Sequence, residues 1–386
     1  MAIYLDNSAT TKVDPLVVEA MLPFFTEKYG NISSIHSIGR EGRPDEEKAR
    51  KSVADLINAT PDEIIFTASG SESDNLAIIA TARAFKHKGK HLITSSIEHK
   101  AVLETFKFLE NEEGFEVTYL PVTSDGIVDM DAYKKALRDD TILVSCMLAN
   151  NEVGTIQPIK EMAALALEKG AYMHTDAVQA VGKMNIDVND LGVSLLTFSG
   201  HKIYAPKGIG ILYVDIELRE KLHPIIHGGQ QEGGLRAGTE NIPYIVGVGK
   251  ACEILKEKQD TEVLRIKKMR DTFEKKLLEV IPETYVNCQH DKRVCSISDV
   301  VFKYIEGEAL MVFAGEVCCS SGSACTSASS GPSHVLTAIG VDEVDMQGAL
   351  RFSFGRFNTE DEVDRAVEVL RGSVEKLRAM SPLYNK

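Results

Sequence analysis

The sequence has no apolar run that approaches the ~20 residues a helix needs to cross a membrane. Its N-terminus, Met-Ala-Ile-Tyr-Leu-Asp, lacks a basic region followed by an apolar stretch, so we expect no secretory signal. Basic residues are not clustered either: 43 are scattered among 57 acidic residues, and the net charge is −14. Because phosphate neutralisation needs clustered Lys and Arg, these features argue against nucleic acid or membrane as a direct partner.

The cysteines lack the spacing of a disulfide framework, and their number, seven, is odd. Together with the missing signal, this pattern predicts free thiols in a reducing cytoplasm. A metal site built from Cys318, Cys319, Cys325 and His334 is the alternative. The spacing Cys-Cys-x5-Cys lacks the Cys-x2-Cys pairs that are typical of zinc sites, so we predict no metal.

The chain has the composition of an ordinary globular protein, with 44% hydrophobic and 26% charged residues. At 386 residues it is too long for one simple core, and we expect two domains. In residues 15–255, apolar runs alternate with helical stretches, which predicts a large α/β domain with a mostly parallel, seven-stranded-type sheet between helices. Residues 1–14 and 256–386 are assigned to a smaller α+β domain, which includes a small, polar, mobile loop at about 318–332.

The elements predicted in the large domain are short strands and amphipathic helices. The predicted strands cover residues 63–67, 90–94, 141–146, 171–175, 195–198 and 208–214. The predicted helices cover residues 71–85 and about 100–112, and a long charged helix covers about 255–280.

Polar residues follow several of these strands, and ligands bind beyond the carboxyl ends of the strands in such sheets. The turn from Thr67 to Asp74 opens a helix, and Ser71 with Asp74 fits a capping box. Free N–H groups and the helix dipole make such a turn a phosphate site. The alternative is a simple cap without a ligand, and this turn alone favours the cap.

Two further strand ends carry Asp176 and Lys202. A carboxylate at the end of a buried strand needs a cation, such as a protonated pyridinium nitrogen, or it serves as a helix cap or structural ion pair. A lysine inside a cleft forms Schiff bases, although most lysines are solvated surface charges. The set of phosphate turn, Asp and Lys, in that order, is what a pyridoxal 5′-phosphate site requires.

With these residues in place, the sequence resembles the class V aminotransferase-type proteins, and most of all the cysteine desulfurases of the NifS/IscS group. The resemblance covers essentially the whole chain. The stretches that carry it are Tyr4-Leu-Asp-Asn-Ser-Ala-Thr-Thr11, Glu98-His-Lys-Ala-Val102, Asn150-Asn-Glu-Val-Gly154, His174-Thr-Asp-Ala-Val-Gln179, Ser199-Gly-His-Lys-Ile-Tyr204, Arg236-Ala-Gly-Thr-Glu-Asn241, Ser321-Gly-Ser-Ala-Cys325 and Arg351-Phe-Ser-Phe-Gly-Arg356.

The resemblance implies a role for each matching residue. Lys202 would hold the cofactor, and Asp176 would pair with its ring nitrogen. His99 would stack on the ring and act as acid and base near the substrate thiol; from the sequence alone it reads as a surface histidine. The remaining residues would bind the ring's phenolic oxygen side (Asn151, Gln179), the phosphate (Gly70, Ser71, Ser199, His201, and Thr239 from a second subunit of a homodimer) and the substrate carboxylate (Arg351).

Cys325 separates a desulfurase from a general pyridoxal-phosphate enzyme. It lies in the Ser/Gly-rich segment between Ala324 and Thr326, whereas Cys318 and Cys319 follow an apolar run and are expected to end a buried strand. A thiolate attacks sulfur well when it is exposed and partly deprotonated. We therefore predict that Cys325 takes sulfur from L-cysteine as a persulfide, leaving L-alanine.

Two other functions remain open at this point. A selenocysteine lyase or a cysteine-sulfinate desulfinase could share the scaffold, and a sulfur-binding adaptor could have an inactive cleft. The form of the Cys325 segment argues against the first, and the intact Lys202, Asp176 and His99 argue against the second. The resemblance further implies a sulfur-acceptor protein as partner, such as an iron–sulfur scaffold.

Overall fold

The computed structural model describes residues 2–321, 332–382 and 384. Its strands are β1 (Ile3–Tyr4), β2 (Ile64–Thr67), β3 (His91–Ser95), β4 (Glu116–Leu120), β5 (Thr141–Ser145), β6 (Tyr172–Asp176), β7 (Leu195–Ser199), β8 (Gly210–Val214), β9 (Thr284–Val286), β10 (Ile297–Phe302), β11 (Val317–Cys318), β12 (Ser320–Ser321) and β13 (Ala349–Ser353).

The helices of the same residues are α1 (Pro15–Met21), α2 (Pro23–Thr26), α3 (Ser37–Arg40), α4 (Arg43–Leu56), α5 (Gly70–Phe85), α6 (Lys100–Glu113), α7 (Met130–Ala136), α8 (Ile159–Glu168), α9 (Val188–Leu191), α10 (Ile216–Arg219), α11 (Ile242–Val280), α12 (Gly307–Phe313), α13 (His334–Ala338), α14 (Glu343–Met346) and α15 (Glu360–Met380). In these ranges no helix is both long and apolar enough to cross a membrane.

The central sheet has seven strands in the order β2-β8-β7-β6-β5-β3-β4. The pairs from β7 through β4 are parallel, and β8 runs antiparallel to both of its neighbours. Strands β2, β3, β5, β7 and β8 are buried along their whole length, as expected for a sheet covered by helices on both faces. Each predicted strand is present to within two residues at either end.

A second, antiparallel sheet has the order β12-β13-β10-β9, and β1 pairs separately with β11. Residues from the N-terminal arm, such as Leu5, pack in the same core as Phe273 and Phe352. The predicted fold class, a mostly parallel sheet between helices plus a smaller α+β part, is confirmed.

The segment predicted as a loop, at about 318–332, includes strand residues at its described start. Residues 317–321 form β11 and β12, because Ser320 and Ser321 pair in register with Arg351 and Leu350 of β13. Polar composition misled the prediction here, since main-chain pairing is independent of side-chain polarity. Residues 322–331, with Cys325, lie outside the described part of the chain.

Helix α11 runs without interruption through the predicted domain boundary at 255. At 1.5 Å per residue its 39 residues extend roughly 60 Å. Its first half, including Val248 and Cys252, packs in the core of the large sheet, and its second half, including Met269 and Phe273, packs in the core of the small one. Helix α11 therefore contributes side chains to the cores of both sheets. The division into two domains at residue 255 stays a prediction.

Candidate active site

A cavity of about 390 Å³ lies where β6 and β7 end and where α5 and α6 begin. Ten residues that the sequence singled out line it: Gly70, Ser71, His99, Asn151, Asp176, Gln179, Ser199, His201, Lys202 and Arg351. The structure thus brings together side chains from the large sheet and from β13 of the small one.

Helix α5 begins at Gly70, one residue before the predicted start, and its N-cap lies two residues before the predicted one. Ser69, not Ser71, is the N-cap of α5, since its hydroxyl accepts the N–H of Glu72 at 3.1 Å. The predicted Ser71–Asp74 capping box is therefore wrong: Asp74 is buried and lines the cavity instead. The first N–H groups of α5 have no acceptor within the helix. Together with the helix dipole, they favour binding of an anion at the N-terminus of α5.

Gly70 packs tightly against the neighbouring strand ends. A Cβ on Gly70 would lie 3.2 Å from Val178 Cγ2 and 3.5 Å from Ser199 Cβ. A larger residue would push the start of α5 away from the end of β7. The close approach explains why glycine stands at the first helical position.

Two buried carboxyl groups lie below this turn. Asp176 ends β6, accepts the N–H of Val178 at 2.8 Å, and has its pKa raised to about 6, mainly because it is buried. Burial and the charge of Asp176 raise the pKa of Asp74 well above its ordinary value. Among the described residues, Asp74 Oδ1 has no hydrogen-bond partner. Such a pair is stabilised by a cationic or N–H⁺ group placed against it.

Lys202 follows β7 in a short turn, and its ammonium contacts the N-terminal arm. Nζ donates to the main-chain oxygens of Ser8 and Ala9, the latter at 2.6 Å. The arm is fixed in turn because Thr11 Oγ1 donates to the carbonyl of His201 at 3.0 Å. The Ser-Ala-Thr-Thr stretch therefore packs against the Lys202 turn, and its Ser8 lines the cavity.

His99 is the N-cap of α6. The N–H of Ala101 donates to His99 Nδ1 at 3.2 Å, and because a main-chain N–H only donates, the proton of the neutral ring lies on Nε2. Burial lowers the pKa of His99, and the charges of Lys202 and Lys100 act in the same direction. His99 is thus a neutral imidazole at pH 7.

His201 is also held in its neutral form. Its Nδ1 lies 3.1 Å from Thr10 Oγ1, and its pKa is lowered to about 4 by burial and by the charges of Lys202 and Lys207. A neutral imidazole can donate one hydrogen bond to an anion without adding charge.

Arg351 reaches the cavity from β13 and is almost fully buried. Its Nη1 donates to the carbonyl of Asn151 and its Nη2 to Asp6 Oδ1, both at 3.0 Å. Within the described residues its Nε has no partner, so donors remain for a further acceptor in the cavity.

Thr239 does not line this cavity in its own chain. It is exposed, and it lines a neighbouring cavity of about 200 Å³ that shares Gly208 with the first. Its predicted role from a second subunit stays a prediction.

The two cysteines next to the predicted sulfur carrier differ in burial. Cys319 is buried and its pKa is raised to about 12, mainly by burial. Cys318, in the edge pair β1–β11, is only partly buried. The expectation that both are buried is therefore wrong for Cys318.

Sequence reasoning missed Ser8 and misassigned Asp74. Ser8 lies in one of the quoted motifs, so the motif itself could have pointed to it. The burial of Asp74 depends on how α5 packs on β6 and β7, and no local pattern reports that.

The class V aminotransferase family model matches residues 3–366. The chain is 51% identical to a cysteine desulfurase IscS of Methanosarcina thermophila, over 100% of this chain and 95% of the relative. It is 49% identical to the IscS of Dictyoglomus turgidum, over 98% and 96%. Among solved structures, a NifS-like protein aligns with a TM-score of 0.91 at 38% identity, over 98% of this chain and 100% of that one.

This chain therefore belongs to the class V aminotransferase family. The resemblance to the NifS/IscS group is confirmed. Proteins of this fold and family depend on pyridoxal 5′-phosphate, which confirms the cofactor predicted from the sequence.

Proposed function

We propose that this protein is a cysteine desulfurase that converts L-cysteine to L-alanine and holds the sulfur as a persulfide on Cys325. The observation that carries the proposal is the convergence of Lys202, Asp176 and Arg351 on one cavity. The similar proteins named cysteine desulfurase support it, as does a structure of SspA in complex with cysteine, 39% identical with a TM-score of 0.80 over 92% of this chain and 99% of that one.

The residues of the cavity fit the cofactor. A pyridinium N–H⁺ placed against Asp176 would stabilise the charged form of this buried carboxyl, and the start of α5 favours the phosphate. Lys202 would hold the cofactor covalently, while Ser71, Ser199 and His201 would hold its phosphate. When bound, pyridoxal 5′-phosphate withdraws electrons from the substrate and stabilises negative charge at its Cα.

The protein's own side chains bind the substrate and move its protons. Arg351 would bind the carboxylate of cysteine with the donors that Asp6 and Asn151 leave available. The amine of Lys202 would carry the proton from Cα, and Nε2 of His99 would exchange a proton near the substrate thiol.

The sulfur step balances without an external oxidant. The Cys325 sulfur forms a bond to the sulfur of cysteine while the carbon–sulfur bond breaks, and the electron pair goes to carbon, which takes a proton. Cysteine and a thiol thus give alanine and a persulfide. The persulfide would then pass to an acceptor protein, such as an iron–sulfur scaffold.

Chain connectivity supports a role for Cys325 in this cavity. Ser320 is the strand partner of Arg351, and five residues extend no more than roughly 18 Å. On the other side of the segment, Ser333 Oγ donates to Glu152 Oε2 at 2.6 Å, and His334 Nε2 donates to the carbonyl of Glu98 at 3.0 Å. Both neighbouring parts of the chain are therefore attached beside the site.

A cytoplasmic homodimer is part of the proposal. The position of Thr239, exposed and beside the cavity rather than in it, supports completion of the site by a second subunit. Large apolar side chains between residues 16 and 38 are exposed, which suits burial against another copy. They are Leu16, Val18, Leu22, Phe25, Tyr29, Ile35 and Ile38.

The proposal is tested by incubating the purified protein, loaded with cofactor, with L-cysteine, L-selenocysteine and cysteine sulfinate in parallel. We expect alanine and, with a reductant present, sulfide from L-cysteine at the highest kcat/KM. Lys202→Ala should lose the visible absorbance of the bound cofactor and all turnover. A preference for L-selenocysteine would identify a selenocysteine lyase, and a preference for cysteine sulfinate would identify a desulfinase. Absence of a cofactor absorbance band in the unmutated protein would instead support a non-catalytic sulfur-binding adaptor.

A further inference from the structure

The side-chain amide of Gln179 is held from two sides. Lys183 Nζ donates to Gln179 Oε1, and Gln179 Nε2 donates to the carbonyl oxygen of Ser8 at 3.0 Å. The same carbonyl accepts from Lys202 Nζ. The amide is buried and lines the main cavity with Lys202.

These two contacts fix which way the amide points. The carbonyl oxygen of Ser8 has no proton to donate, and the ammonium form of Lys183, which predominates below a pH of about 7, has no acceptor. A flipped amide would place its NH2 group against Lys183 and its oxygen against the oxygen of Ser8, losing both hydrogen bonds. The orientation therefore follows from the chemistry of the neighbours.

A tight turn brings Lys183 back over Gln179. The turn passes through Gly182 at φ +78°, and a Cβ there would lie 3.2 Å from Leu255 Cδ1 and 3.4 Å from Ile203 Cγ2. The N–H of Lys183 then donates to the carbonyl of Ala180 at 2.9 Å. The Val-Gly-Lys sequence is thus built so that the lysine points inward, four residues after its partner.

Lys183 does not line the main cavity. It lines a small separate cavity together with Lys202, Tyr204 and Glu262. Its pKa is lowered to about 7, mainly by burial; Lys202 and Arg351 act in the same direction, and Cys295 acts against them. Burying a lysine ammonium costs free energy, and a hydrogen bond to a buried acceptor offsets part of that cost. The Gln179 side-chain oxygen is such an acceptor.

We propose that Lys183 is a positioning residue that locks the Gln179 amide with its NH2 group toward Ser8 and the cofactor cavity. This rests on the proposed function, in which Gln179 donates to the phenolic oxygen of the cofactor ring. Without Lys183, only the Ser8 carbonyl holds the amide, so turning the amide oxygen toward the phenolic oxygen, which is a repulsive contact, costs one hydrogen bond instead of two.

The test uses the visible absorbance of the cofactor bound to Lys202, titrated with pH in the absence of substrate. A hydrogen bond from Gln179 to the phenolic oxygen would withdraw electron density from the cofactor ring. The Lys202 nitrogen bound to the cofactor would then be less basic, so it would lose its proton at a lower pH. Lys183→Met should move the titration midpoint to higher pH by about one unit, the effect expected for one lost hydrogen bond. The affinity for pyridoxal 5′-phosphate should fall about tenfold, and Lys183→Arg, which keeps a donor, should restore most of both.

A double-mutant cycle shows whether Lys183 acts through Gln179. Gln179→Ala should give a similar shift by itself, and adding Lys183→Met to it should change the midpoint little. Lys160→Met, at an exposed ion pair with Asp190, is the matched control and should change nothing. Thermal unfolding of each cofactor-free variant checks that it is folded. If Lys183→Met does not fold, the titration midpoints of Lys183→Arg and Gln179→Ala are compared with that of the unmutated protein instead.

Two results would overturn the inference while leaving the proposed function intact. One is an unchanged midpoint in Lys183→Met. The other is a midpoint shift from Lys183→Met that is equally large in the Gln179→Ala background. Lys183 would then act on the cofactor through its charge alone, and not by positioning Gln179. A missing cofactor band in the unmutated protein would instead overturn the proposed function itself.

Discussion

The guanidinium of Arg351 lies 3.0 Å from the carboxylate of Asp6, so the N-terminal arm holds the residue that we expect to bind the substrate carboxylate. Asp6 offsets the charge of a buried cation, and the carbonyl of Asn151 occupies a second nitrogen at 3.0 Å. The guanidinium plane is thereby fixed before substrate arrives. Such preorganisation lowers the entropy lost on binding.

Arg351→Lys should raise the KM for cysteine about tenfold or more and leave the cofactor spectrum unchanged. A lysine cannot reproduce two parallel hydrogen bonds to a carboxylate, and each charge-assisted bond is worth about 1.5–3 kcal/mol. Steady-state kinetics and an absorbance spectrum measure both. Arg83→Lys, in an ion pair with Glu113 remote from the site, is the control. An unchanged KM in Arg351→Lys would remove Arg351 from the substrate site.

His99 should set the acid limb of the pH profile below its ordinary pKa of 6.5. Because burial and the nearby lysines lower the pKa of His99, the neutral form persists as pH falls through 6.5, and activity is lost only below that value. His99→Asn keeps a side chain that caps α6 while removing the imidazole, and kcat should fall by about 10²–10⁴. The kcat/KM profile from pH 5 to 9 measures the limb, with exposed His87→Asn as control. A limb centred above 6.5 contradicts the assignment.

Thr239 should act across the subunit interface. A dimer of Thr239→Ala mixed with a dimer of Lys202→Ala forms hybrids in which one site combines Lys202 of one chain with Thr239 of the other. Cofactor absorbance at limiting pyridoxal 5′-phosphate should therefore recover in the mixture beyond the sum of the two separate proteins. Sedimentation should show a species of twice the chain mass. If subunit exchange is demonstrated and the cofactor absorbance still does not recover, Thr239 acts in the site of its own chain.

The sequence predicted six of the seven strands of the large sheet, because buried strands such as β5 and β7 are mainly apolar. It missed β4, most of which is only partly buried. Strand ends gather at one edge of a parallel sheet, and this reasoning predicted the turn with Gly70 and Ser71, Asp176 and Lys202. The family resemblance predicted the other lining residues, which are His99, Asn151, Gln179, Ser199, His201 and Arg351. Relations between distant segments were not predictable. The burial of Asp74, the contact of Ser8 with Lys202 and the strand pairing of Ser320 each depend on how separate segments pack, and no local pattern encodes that.

The sulfur carrier can be separated experimentally from the rest of the site. Because the thiol of Cys325 is required only when sulfur is transferred, Cys325→Ser should bind the cofactor normally. L-Cysteine should still shift its absorbance, since Lys202, Asp176 and His99 are intact. Alanine and sulfide should not accumulate, because a serine hydroxyl is a poor nucleophile toward sulfur.

Mass spectrometry then locates the sulfur. After brief treatment of the unmutated protein with L-cysteine, the peptide that contains Cys325 should gain the mass of one sulfur atom, and a reductant should remove it. Cys319 is the lesser rival, because burial raises the pKa of its thiol to about 12 and leaves almost no thiolate at pH 7. Cys318, which is partly exposed in β11, is the stronger rival, and Cys318→Ser is therefore the matched control that should retain full turnover. Sulfur found on Cys318 would assign the carrier to β11, and normal turnover by Cys325→Ser would exclude Cys325.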